Sequence, residues 1–95
     1  MQAKSETERV FVRNLPGGGY AAIDVTAERS MLRRAIYRGV LVVERRAIGR
    51  GGGSPPVIAS ATGATVEDVV HQLMPTAMSN VAIGAAMLRH ELVAF

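Results

Sequence analysis

The chain is 95 residues long, 48% apolar and 20% charged, with a net charge of +3 and no cysteine. That length holds one small domain, and the apolar content excludes wholesale disorder. The lack of cysteine excludes disulfides, thiolate nucleophiles and thiolate metal sites.

The polar start, Met1 to Glu8, has no apolar run of the kind a secretory leader needs, so a cytoplasmic protein is expected. Residues 1–7 read as a disordered tail and residues 8–95 as a single α+β domain. Arg9 to Leu15 reads as a strand rich in Val and Phe. Pro16-Gly17-Gly18-Gly19 is a turn, because glycine tolerates positive φ and proline cannot continue a ladder. Tyr20 to Thr26 is a second strand and completes a hairpin. Residues 27–35 allow two readings, a short helix at about 28–35 or a long connection. Ile36 to Ile48 is a third strand built on Val40-Leu41-Val42-Val43, apolar at both parities and so covered on both faces or central in its sheet.

Gly49-Arg50-Gly51-Gly52-Gly53-Ser54 is a flexible loop with a stiff Pro55-Pro56 exit. Val57 to Ala61 is a fourth strand, at a spacing that suits a second hairpin. Thr65 then N-caps a helix, with Glu67 and Asp68 in its first turn, where acids suit the dipole. Pro75 should kink or break that helix. Helical spacing resumes from about Thr76 to Val93, with a stripe of Met78, Val81, Ala85, Leu88 and Leu92. Ile83 and Met87 lie off the stripe and widen the apolar surface. The expected architecture is a four-stranded, mainly antiparallel sheet of two hairpins, covered on one face by a long, Pro-broken C-terminal helix.

The stretch Thr62-Gly63-Ala64-Thr65-Val66-Glu67-Asp68-Val69 resembles the strand-to-helix junction of HicB-like antitoxins, where a Gly-x-Thr-x-Glu-Glu pattern follows a strand. The likeness covers these eight residues and is largely a helix-start pattern. The rest of the chain departs from that family.

Charge is unevenly spread. Residues 1–50 carry a net charge of +5 and residues 51–95 a net of −2, and ten of the eleven cations are arginine. Residues 69–88 carry no formal charge at all. That stretch has the length of a membrane span. His71, Gln72, Pro75, Thr76, Ser79 and Asn80 make it too polar for one, so no membrane partner is expected. It fits a buried helix or a subunit interface instead. Five residues, Met78, Val81, Ala85, Leu88 and Leu92, are the expected oligomer interface.

The basic half suggests a second function. Strand side chains alternate between faces. If Val10, Val12, Ile23 and Val25 face the helix, then Arg9, Phe11, Arg13 and Tyr20 face outward. Rings flanked by arginine on an open sheet face can stack bases and hold phosphates. With Arg45, these four residues are the candidate nucleic-acid site. The opposite reading puts Phe11 in the core with the arginine stems around it.

The two glycine-rich loops lack the strand-loop-helix setting of a phosphate-binding loop, so neither is read as a nucleotide site. His71 and His90 have no further ligands at suitable spacing. Ser60 and Thr62 have no evident base. No enzyme activity, cofactor or metal is expected, although a composite pocket between subunits near His71 and Asp24 is a third reading. The leading expectation is a small, self-associating, non-enzymatic module that binds a macromolecular partner. The alternative is a single-strand DNA- or RNA-binding protein.

Overall fold

The computed structural model of the chain describes residues 6–29, 35–44 and 56–93, the side chains of 29 and 90–93 excepted. Four strands, β1 (Thr7–Asn14), β2 (Tyr20–Arg29), β3 (Ala35–Glu44) and β4 (Val57–Gly63), precede two helices, α1 (Val66–Ala77) and α2 (Asn80–Val93). The sheet order is β1-β2-β3-β4 and every pairing is antiparallel. The α+β class and the four-stranded antiparallel sheet agree with the sequence pattern.

The β1–β2 turn is built as its glycines demand. Gly17, Gly18 and Gly19 all have positive φ, near 85°, 104° and 90°, which costs little only without a Cβ. Two backbone bonds, Gly18 N to Leu15 O and Leu15 N to Gly19 O, close the turn.

At 27–35, the described residues 27–29 and 35 are strand. Ala27, Glu28 and Arg29 continue β2 and pair with Tyr37, Ile36 and Ala35 of β3. Their helix-forming composition yields to a ladder that runs unbroken from Tyr20↔Glu44 to Arg29↔Ala35. A helix at 28–35 is thus excluded at both its ends, and residues 30–34 lie outside the described residues. So do Arg45 to Ile48, the expected end of the third strand, and the Gly49–Gly53 loop. In the expected tail, Thr7 opens β1, and residues 1–5 lie outside the description.

The core lies on one face of the sheet. Ala21, Ile23 and Val25 of β2 and Leu41 and Val43 of β3 meet Val69, Leu73 and Ala77 of α1 and Ile83 of α2. Apolar α1 residues at spacings of four put one helical stripe on this face. The closest approach is at Gly39, where an added Cβ would overlap Val69 Cγ1. Thr65 caps α1 as expected, its Oγ1 accepting from the Asp68 amide at 3.1 Å.

The C-terminal helix is two helices and not one long Pro-broken one. Pro75 lies inside α1, which continues past it to Ala77. The break falls at Met78–Ser79. There the Ser79 hydroxyl accepts from Ala82 N at 3.1 Å, starting a new helix. Arg13 of β1 holds the junction from the sheet. Its Nε donates to the Ala77 carbonyl at 3.0 Å and its Nη2 to Asn80 Oδ1 at 2.6 Å. α2 then contacts α1 and β4. Among the described residues, no helix is long and apolar enough to cross a membrane.

Candidate interaction surfaces

The strand ladders decide which side chains share the open face, the one away from the helices. On β2 the alternation is as expected, with Tyr20, Ala22, Asp24 and Thr26 opposite Ala21, Ile23 and Val25. On β1 the register shifts between Arg9 and Phe11. Arg9 pairs with Asp24 and Phe11 with Ile23, so Val10 is the extra residue of a bulge. The bulge sends Arg9 to the open face and Phe11 and Arg13 to the helix face. Phe11 packs against the core, and Arg13 binds the α1–α2 junction.

The expected basic-aromatic platform is therefore divided. Arg9 and Tyr20 share the open face, Phe11 and Arg13 lie beneath the sheet, and Arg45 lies outside the described residues. The face assumed for Val12 fails for the same reason, whereas Val10 lines a cleft with Val25 and Val66 on the helix side. Val12 is on the open face beside Ala22 and is 54% exposed.

Arg9 and Tyr20 are themselves engaged. The Arg9 guanidinium meets the Asp24 carboxylate through Nε–Oδ1 at 2.8 Å and Nη2–Oδ2 at 3.2 Å. It lies over the Tyr20 ring, 5.1 Å from the centroid. The Tyr20 hydroxyl donates to Glu44 Oε2 at 2.8 Å. The bond to Asp24, and then the Tyr20 hydroxyl, hold the Arg9 pKa further above its normal high value. The stack spans Ala22, which has no exposed surface although it lies on the open face. A second pair, Arg38–Glu28 at 3.4 Å, lies on the same face. Among the described residues, the charged groups of that face are Arg9 and Arg38 against Asp24, Glu28 and Glu44.

The helical stripe is exposed. Val81, Leu88 and Met78 are 84%, 59% and 56% exposed, and Ala85 is exposed between them. The side chain of Leu92 lies outside the described residues. The core-facing side of α2 is instead formed by Ile83 and Ala86, both buried, with Met87 packed beside them. α2 is thus apolar on two sides and only one of them meets the sheet. Ile83 and Met87, which the sequence pattern places as a widening of the stripe, belong to the core-facing side.

A cleft of about 470 Å³ opens between the start of β1 and the start of α1. Val10, Val25, Ala27, Tyr37 and Val66 line it, with Glu6 and Glu8 at its rim. Asp24 and His71 do not converge within one chain, since Asp24 is on the open face and His71 is on α1 beneath the sheet. Among the described residues, no three metal-binding side chains come together. No family model, curated protein or solved structure matches the chain.

Proposed function

We propose that the protein is a small cytoplasmic interaction module, without enzyme activity, that self-associates through α2 and so presents a macromolecular binding surface in oligomeric form. One observation carries this reading: Val81, Ala85 and Leu88 form an apolar stripe on α2 that is open to solvent, with Met78 also exposed at the α1–α2 junction. Fully burying a valine or leucine is worth about 1.5–3 kcal/mol. Covering the stripe is therefore a substantial gain for a domain of this size, which has a thin core of its own. The stripe carries no charge, so two copies can meet along it without stranding an ion.

Light scattering at micromolar concentration tests the reading. The wild type is expected to show at least a dimer, and Val81→Glu and Leu88→Glu are expected to be monomers with unchanged far-ultraviolet circular dichroism. A wild type that stays monomeric up to millimolar concentration overturns it.

A further inference from the structure

The two edges of the sheet differ in their chemistry. β1 carries Glu8, Arg9 and Arg13 and is bulged at Val10. Charges and bulges of this kind blunt an edge against pairing. β4, at the opposite edge, has a bulge of its own at Ile58 but reads Val57-Ile58-Ala59-Ser60-Ala61-Thr62-Gly63, with no charge and no proline.

The backbone of β4 shows which groups face outward. Gln72 of α1 donates its Nε2 to the Thr62 carbonyl at 2.9 Å, so Thr62 turns its backbone groups away from β3. Pro56 O accepts from Val43 N inside the sheet, but it lies beyond the extra residue Ile58, which reverses the alternation between Val57 and Ala59. In an antiparallel ladder, every second residue points its amide and carbonyl the same way. Ser60 therefore presents both groups at the edge, and it is exposed. Among the described residues, no loop, cap or side-chain bond takes either group.

We infer that β4 pairs antiparallel with β4 of a second copy, about a two-fold axis at Ser60, joining the two sheets into one of eight strands. The pairing sets Ser60 opposite its counterpart, Ala59 opposite Ala61 and Val57 opposite Gly63. No charge then faces a like charge, which is what an isologous interface requires. An axis normal to the sheet keeps both copies' helices on one face. α2 contacts β4, so the same axis brings the two exposed α2 stripes to one side of the junction. A second copy is the occupant that satisfies the uncharged strand and the uncharged stripe with one symmetry operation. The inference rests on the self-association reading and specifies its geometry.

The test combines light scattering with amide hydrogen exchange on the full chain. Ser60→Pro removes the outward amide and leaves the inner ladder intact, a substitution that edge strands tolerate. It is expected to be monomeric, while Ser60→Ala remains a dimer. In the wild-type dimer, the Ser60 amide is expected to exchange at least about tenfold more slowly than in dilute, monomeric protein. A dimer that survives Ser60→Pro, or whose Ser60 amide exchanges freely, overturns the edge pairing and leaves self-association through α2 standing. A wild type that is monomeric at every concentration overturns both. A monomer whose Ser60 amide is protected only by an added peptide of residues 57–63 overturns the two-fold pairing in favour of an edge that accepts extended peptides. If Ser60→Pro does not fold, the exchange of the wild-type amide decides alone.

Discussion

Single residues set the tolerances of this fold. Gly39 lets α1 sit directly on β3, because any Cβ there meets Val69 Cγ1. Gly39→Ala is expected to destabilise the protein by about 1–3 kcal/mol, the usual penalty of overpacking. In a double-mutant cycle by thermal or urea unfolding, Val69→Ala should relieve part of that loss. Additive losses would show that the contact is not the cause. The glycine is visible in the sequence, but its partner is not, since Val69 lies thirty residues away. Thr65 is the opposite case. A cap followed by acids is a local pattern, so its role was legible, and Thr65→Ala should cost about 1 kcal/mol. The bulge at Val10 was illegible because no Gly or Pro marks it. Arg9, Phe11 and Arg13 share a parity in the sequence, yet one inserted residue separates the first from the others.

At the scale of elements, the sheet was more readable than the helices. Along β2 the large apolar residues Ile23 and Val25 alternate with Asp24 and Thr26, and one core-facing side follows from it, although Ala22 is covered on the other face. α2 offers no such contrast. Val81, Ala85 and Leu88 are as apolar as Ile83, Ala86 and Met87, so periodicity alone could not tell which side meets the sheet. The position of the helix break was also hidden. Pro75 is the evident helix breaker in the sequence, but Ser79 and Arg13 fix the junction three to four residues later. Pro75→Ala is therefore expected to leave the break at Met78–Ser79, read from backbone chemical shifts. Fusion of α1 and α2 into one continuous helix would show that proline, and not the capped junction, makes the corner.

For the whole molecule, the proposed self-association predicts a stability that depends on concentration. Mass action raises the Tm of an oligomer as protein is added. The wild-type Tm is expected to climb measurably over a hundredfold concentration range and that of Val81→Glu to stay flat. Equal slopes for the two would place the interface elsewhere than on α2. The chain's topology also has a kinetic consequence. Each strand pairs with its neighbour in sequence, so the sheet can zip from successive short loop closures. The Arg13 contacts with Ala77 and Asn80 span 64 and 67 residues, and such a closure is entropically the most costly to form early. Arg13→Ala should then speed unfolding while leaving the refolding rate nearly unchanged, as for a contact absent from the folding transition state. Stopped-flow chevrons would show it as a shift of the unfolding limb alone. One arginine, bonded across most of the chain, thus acts as a late latch that sets how long the folded state lasts.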